Sequence, residues 1–192
     1  MSGRKELFRA RVTFNEKTIQ RVFKVEYFTY DKLKVILRAI VGFLFIAMAF
    51  LVEMHLALMV LCLLIGCWLF IALDFPSKVR AEGVIQARKG AVNTISMKFY
   101  DSSIEVVEEK RFYNYSEIDR LIADKDFLFI FYSRQKALMV DTSTLQPSNI
   151  SDFRNLIAEK SGKRWRMNSI LLMNFKDLKQ AIKDFRERKK IT

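Results

Sequence analysis

The sequence predicts a membrane α+β protein in which a two-helix transmembrane hairpin is inserted after the first strand of a small β-domain. Two apolar runs of 18 residues, Val35–Val52 and Leu56–Leu73, are separated by only three residues. A segment with strand-like alternation precedes them, and a series of short strand-like segments follows. Because a lone strand is not stable, the first strand must pair with one of the later strands.

Each apolar run is long enough to cross a bilayer, since 18 residues of helix extend about 27 Å. The connector of Glu53, Met54 and His55 is too short for anything but an antiparallel hairpin. A soluble protein with two buried helices is the alternative, but such helices are seldom apolar on every face. Arg38 is the one charged residue inside the runs, and we expect its side chain to extend back to the headgroups.

The positive charges predict the orientation of the hairpin. Residues 1–34 contain nine Lys and Arg residues, the connector contains none, and four more follow the second run between Lys78 and Lys89. Because cytoplasmic flanks carry the excess of Lys and Arg, both termini are expected in the cytoplasm. The chain is thus predicted to be a multi-pass protein of the cell membrane with two spans.

Small residues mark where the two helices can approach closely. Gly42 in the first run, and Cys62 with Gly66 in the second, are the candidate packing points. Cys62 and Cys67 are interpreted as apolar packing residues, because their spacing suits neither a disulfide within one helix nor a metal site.

The segment before the hairpin predicts a strand and then a helix. Apolar side chains alternate with polar ones from Phe8 to Phe14, which indicates a strand with one buried face. Asn15 is a plausible N-cap for a helix that we expect to run straight into the first span. Tyr27 and Phe28, late in that helix, suit either an aromatic belt at the membrane interface or helix packing.

The segment after the hairpin predicts a short helix, six strands and another helix. A break at Asp74-Phe75-Pro76 precedes a helix or linker over residues 77–90, and a later helix carrying Phe153 is stopped by Gly162. The intervening strands are expected near residues 94–99, 104–107, 112–115, 118–123, 127–132 and 137–140. Seven strands with a closing C-terminal helix is the layout of a cytoplasmic pleckstrin-homology-like β-barrel.

These assignments divide the chain into five parts. They are an N-terminal strand and helix (1–34), the hairpin (35–73), a juxtamembrane linker helix (74–91), the pleckstrin-homology-like domain (92–163) and a basic amphipathic C-terminal helix (164–192).

The order of elements resembles the YcxB-like family of bacterial membrane proteins, over roughly residues 6–162. The segments that carry the resemblance are RVTFNEKTIQRV, the hairpin, ISMKFYDSSIEV, YNYSEIDRLIADKDFLFIFYSRQKALMVD and SDFRNLIAEK. The resemblance implies two spans before a pleckstrin-homology-like domain. Many members carry an Ile-Pro-Lys-like segment after the last strand, where this sequence has Met139-Val140-Asp141-Thr142. The family supplies no established activity.

No motif for catalysis, cofactor binding or metal binding stands out. His55 is the only histidine and has no nucleophile beside it in the sequence, so it is interpreted as a polar residue at the membrane edge. Glu108-Glu109 is interpreted as part of a charged turn, and Asp119, Asp124 and Asp126 as turn and exposed-strand residues rather than cation ligands. We expect no enzymatic activity and no cofactor.

The basic C-terminal segment is the one candidate contact surface. Residues 164–192 carry nine Lys and Arg residues against three acidic ones. They fit a helix lying on an anionic leaflet, and a helix docked on the β-domain is an equal alternative. Nucleic acid is a poorer match, because orientation in the membrane already explains much of the charge. The candidate lipid contacts are Arg164, Arg166, Lys176, Lys179, Lys183 and Arg186.

The sequence favours a non-enzymatic, membrane-tethered pleckstrin-homology-like binding or scaffold module. Its partners would be the bilayer, an anionic headgroup, another protein or a second copy of the chain. An oligomeric channel or transporter component is the alternative, although neither span has a polar stripe.

Overall fold

A computed structural model describes residues 5–53, 55–89 and 91–167. Within these residues the chain divides into two compact units: unit one comprises residues 5–22 and 85–167, and unit two comprises residues 23–84. The part of the expected C-terminal helix (164–192) beyond residue 167 lies outside the described residues, as do four of the candidate lipid contacts: Lys176, Lys179, Lys183 and Arg186.

The first sheet of unit one pairs the N-terminal strand with the strands after the hairpin. It contains β1 (Glu6–Phe14), β2 (Asn93–Tyr100), β3 (Ser103–Val106) and β4 (Arg111–Asn114), in that order and all antiparallel. Thr13 lies opposite Thr94 in the ladder of β1 and β2. The expectation that β1 pairs with a later strand, with the hairpin inserted between them, is confirmed.

The second sheet includes one strand beyond the seven that the sequence predicts. It contains β5 (Arg120–Asp124), β6 (Phe127–Ser133), β7 (Lys136–Asp141) and β8 (Trp165–Met167), in the order β7-β6-β5-β8. Strand β8 lies parallel to β5, with Leu121 opposite Trp165.

The expected closed barrel is therefore wrong for the described residues. Strand β5 pairs with β6 on one side and β8 on the other, so β4 has no edge of β5 to join. The other edge of β1 pairs instead with the segment that follows β7, where Arg9 and Gln146 exchange backbone hydrogen bonds of 2.7 and 2.8 Å.

Helix α5 (Ile150–Ser161) fills the core beneath the first sheet. The Phe153 ring is fully buried and meets Phe8 of β1 and Phe99 of β2 edge to face, at centroid distances of 5.3 and 4.8 Å. Such aromatic pairs are favourable beyond their buried area. The helix ends at Gly162, which adopts a left-handed conformation with φ of 65°, as its position in the sequence predicts.

Four helices lie between β1 and β2: α1 (Glu16–Tyr30), α2 (Lys32–Leu51), α3 (Leu56–Ile71) and α4 (Phe75–Arg88), with a 3₁₀ turn at Ala72–Asp74. The Asn15 side chain accepts a hydrogen bond from the Thr18 N–H at 3.0 Å, which confirms the expected N-cap. The expectation that this helix runs straight into the first apolar run is wrong, because Asp31 is non-helical and separates α1 from α2.

Helices α2 and α3 pack through two glycines. A Cβ atom added to Gly66 would lie 2.6 Å from Ile46 Cγ1 and 2.9 Å from the backbone oxygen of Gly42. A Cβ added to Gly42 would lie 3.2 Å from the Gly66 oxygen. The close-packing role expected for Gly42 and Gly66 is confirmed, since any side chain at Gly66 would push the helices apart.

Replacing Gly66 with alanine should destabilise the hairpin. We expect Gly66→Ala to lower the free energy of unfolding by about 1–3 kcal/mol, as overpacking does in protein cores. Thermal unfolding of detergent-solubilised protein, followed by circular dichroism, would measure the change.

Gly83→Ala in α4 is the matched control, because nothing lies within 4 Å of a Cβ built there. This variant should keep or raise stability, by up to about 1 kcal/mol. Equal destabilisation by both variants would contradict the packing described for Gly66.

Candidate functional site

A cluster of charged side chains joins α1, α2 and α4 in unit two. Its members lie shortly before the first apolar run and shortly after the second. Glu26 of α1 and Asp31 are buried, with 6% and 3% of their surfaces exposed. Arg80 of α4 donates to both Glu26 carboxylate oxygens at 3.1 and 3.2 Å and lies 3.8 Å from Asp31 Oδ2. The Lys34 ammonium of α2 is 3.5 Å from Asp31 Oδ1. We call Glu26, Asp31, Lys34 and Arg80 the base cluster.

Tyr27 connects the base cluster to Arg38, the one charge inside the two apolar runs. The Arg38 guanidinium donates a hydrogen bond to the Tyr27 oxygen at 3.3 Å, and the Arg80 guanidinium lies 5.8 Å from the centroid of the Tyr27 ring. Burial raises the pKa of the Tyr27 phenol, against the opposing effect of Arg38, so the phenol is neutral at physiological pH. Arg38 thus donates a hydrogen bond to a residue of α1. The expectation that its side chain extends back to the headgroups does not by itself predict this contact.

The aromatic residues before the first apolar run serve helix packing. Tyr27, Phe28 and Val35 form one buried apolar group, against which Leu73 packs. Tyr27 and Phe28 meet edge to face at 5.6 Å. Of the two interpretations left open for these rings, the structure supports packing.

Asp74 forms a second charged group in the turn that ends the other apolar helix. Its carboxylate lies 3.3 Å from the Lys24 ammonium and 3.1 Å from that of Lys78. The buried Ser77 hydroxyl donates to the Asp74 carbonyl at 2.7 Å. This group links α1 to the start of α4, as Arg80 does one turn further along.

The base cluster can fix the ends of the hairpin. Arg80 pairs with the buried Glu26 carboxylate, and Lys34 and Arg80 both lie near the buried Asp31 carboxylate. Removing such partners from a buried carboxylate destabilises the folded state. The members of the base cluster come from α1, α2, α4 and the break at Asp31, so the same contacts define how these segments meet. The arrangement supports a structural and electrostatic role.

The structure places the polar residues of the connector and turns in structural roles. The His55 side chain caps α3 by accepting a hydrogen bond from the Ala57 N–H at 3.4 Å. Glu108 and Glu109 lie in the turn between β3 and β4, as expected. The Asp124 carboxylate accepts a 2.7 Å hydrogen bond from Arg21 Nε. Within residues 5–53, 55–89 and 91–167, no group of three or more potential metal ligands occurs.

The described part of the basic C-terminal segment is attached to unit one. The Trp165 indole N–H donates to the Arg154 carbonyl of α5 at 2.8 Å, and the Arg154 guanidinium lies 5.7 Å from the indole centroid. Arg164 and Arg166 are exposed beside it. Both candidate lipid contacts in this segment are thus held at the edge of the second sheet.

Sequence patterns could not identify the base cluster, because Glu26 and Arg80 are separated by the whole hairpin. One signal was available: Glu26, Asp31, Asp74 and Arg80 all flank the apolar runs, where a charge must either reach water or find a partner.

Comparison with known proteins supports the resemblance found in the sequence. Residues 99–157 match the family model described as YcxB-like protein. The matched segment runs from the end of β2 into α5, so it includes strands β3 to β7. No curated protein and no solved structure matches the chain.

Removing Arg80 should destabilise unit two. Arg80→Ala removes the guanidinium that donates to both oxygens of the buried Glu26 carboxylate, and we expect a loss of about 1.5–3 kcal/mol in the free energy of unfolding. Combining Arg80→Ala with Glu26→Gln should restore part of the lost stability, because the glutamine carries no buried charge.

Lys78→Ala is the control, since the Lys78 side chain is 59% exposed and its ion pair lies at the surface. It should change stability by less than about 1 kcal/mol. Chemical denaturation in detergent would measure all three variants, and a loss in Lys78→Ala as large as in Arg80→Ala would contradict the role of the base cluster.

Proposed function

We propose that the chain is a non-enzymatic membrane protein of two spans, in which α2 and α3 anchor unit one as a cytoplasmic binding or scaffold module. The observation that carries the proposal is the exposure of the two apolar helices. Helix α2 (Lys32–Leu51) and the helical segment Leu56–Arg88, which begins with α3, are long and apolar enough to cross a membrane, with mean hydropathies of 2.2 and 2.9 in their most apolar windows. Only 17% and 6% of those windows are buried.

Exposure of this kind argues against two core helices of a soluble protein. Large side chains such as Phe43, Phe50, Leu64, Trp68 and Ile71 are between 61% and 78% exposed. In water they would form an apolar patch far larger than single soluble proteins display. A bilayer covers such side chains at no cost, while Gly42 and Gly66 supply the close packing that helices in lipid require.

The proposed orientation places both termini and unit one in the cytoplasm. Lys and Arg residues flank the outer ends of the hairpin, and the connector has none. The same flanks carry the base cluster and the Asp74 group, which pair charges at the ends of the apolar helices.

Unit one supports a pleckstrin-homology-like binding module. Four antiparallel strands form one sheet, β5 to β7 belong to a second, and α5 packs its Phe153 ring against the first. Strand β8 is an addition to that layout. Arg164 and Arg166, held beside β8, remain the candidate contacts to an anionic leaflet in the described part of the basic segment.

A channel or transporter component is the less favoured alternative. Two helices would line a pore only as an oligomer, and the exposed faces of α2 and α3 are apolar. Arg38, the one charge inside the two apolar runs, donates to Tyr27.

Topology mapping tests the proposal directly. In a background with Cys62→Ala and Cys67→Ala, we expect a membrane-impermeant maleimide to label Glu53→Cys in intact cells, because the connector faces outward. The chain itself should resist extraction from membranes by alkaline carbonate.

Ser102→Cys, in an exposed turn of unit one, is the matched control and should react only after permeabilisation. Labelling of Ser102→Cys in intact cells, or release of the chain by carbonate, would overturn the proposed anchoring and orientation.

A further inference from the structure

Unit one contains an open pocket where α1 leaves β1 and the chain from α4 enters β2. Its volume is about 390 Å³, which lies within the range of small-molecule sites. Its lining comes from the first turn of α1 and from the last turn of α4 with the residues that follow: Asn15, Glu16, Lys17, Ile19, Ile85, Arg88, Ala91 and Val92.

The lining separates into a charged part and an apolar part. Lys17 and Arg88 are exposed cations, and Lys17 forms no ion pair with any carboxylate in the described ranges. The Arg88 guanidinium lies 5.8 Å from the centroid of the Phe14 ring, which restrains it at the pocket. Ile19 is buried, Ile85 is half-buried and Val92 is 62% exposed, so an apolar surface continues from the pocket to its edge.

We infer that this pocket binds the headgroup of a singly charged anionic phospholipid, with the first acyl carbons against Ile19, Ile85 and Val92. Two cations beside an apolar surface match a phosphodiester joined to an acyl chain. Glu16 also lines the pocket, so the net charge of the lining is about +1. A charge this small disfavours ligands with several phosphates.

The helices that form the pocket support the inference that the bound phosphate belongs to a lipid. The walls belong to α1 and α4, the two helices through which the chain passes between unit one and unit two. The inference rests on the proposed function, because it supposes that unit one meets lipid at the membrane surface.

Native mass spectrometry of the full chain in a neutral detergent tests the inference. The probes are short-chain phosphatidylglycerol, short-chain phosphatidylcholine and inorganic phosphate. We expect phosphatidylglycerol to bind the parent chain most tightly. The double variant Lys17→Gln with Arg88→Gln should bind it at least about tenfold more weakly, since two charge-assisted contacts are removed. Ala91→Trp, which fills the pocket and keeps both cations, should also weaken binding.

Two further variants sharpen the result. Arg111→Gln with Lys163→Gln removes the same two residue types from positions outside the pocket and should bind like the parent. Glu16→Gln should bind inorganic phosphate more tightly, because one repulsive charge is gone. Circular dichroism of each variant verifies folding.

Each contrary result overturns a defined part of the inference. If phosphatidylcholine binds as tightly as phosphatidylglycerol, charge does not select the ligand. If inorganic phosphate binds as tightly as phosphatidylglycerol, the pocket is a site for a free anion. Unchanged phosphatidylglycerol binding in both pocket variants would overturn the site. The assay is performed in detergent, so failure of the anchoring proposal appears separately as release of the chain by carbonate.

Discussion

Antiparallel pairing of β1 with β2 is the constraint on which the rest of the architecture depends. It brings Thr13 opposite Thr94 across an insertion that contains both apolar helices. The ladder means that the chain leaves unit one through α1 and returns to it through α4. A hairpin inserted in this way is attached to its domain at both ends, whereas a hairpin before the domain would be attached at one.

Each end of the insertion is stabilised by contacts within its own unit. In unit one, Asn15 caps the start of α1, and Arg21 pairs with Asp124 of β5 while lying 5.0 Å from the Phe127 ring centroid. In unit two, Arg80 joins α4 to Glu26 of α1. The carboxylates of Glu26, Asp31 and Asp74, which flank the apolar helices, are therefore paired with cations. Such pairing offsets the free-energy penalty of burying a charge beside apolar helices.

Sequence reasoning could predict the elements whose periodicity is regular. The apolar runs, the alternation from Phe8 to Phe14 and the stop at Gly162 each depend on local chemistry, and the structure has α2, α3, β1 and α5 at these positions. The pairing of β1 followed from a global argument, that a lone strand needs a partner. The break at Asp31 was missed, because charged and apolar residues continue at helical spacing on both sides of it.

The remaining features depend on distant parts of the chain. Strand β8 has only three residues, too few for a periodic signal, and its place beside β5 prevents the barrel closure expected from the strand count. The base cluster and the pocket each combine residues from both sides of the hairpin, so neither has a contiguous motif.

Disulfide trapping across the β1–β2 ladder would test the central claim most directly. The Thr13 and Thr94 hydroxyl oxygens are 3.2 Å apart, so cysteines at both positions, in a chain lacking Cys62 and Cys67, should form an intramolecular disulfide in oxidised membrane vesicles. We expect the cross-linked chain to remain with the membrane after carbonate extraction, while Thr13→Cys with Ile95→Cys, out of register, cross-links poorly. Absence of the Thr13–Thr94 disulfide, or its formation only between chains, would contradict a hairpin inserted within the β-domain.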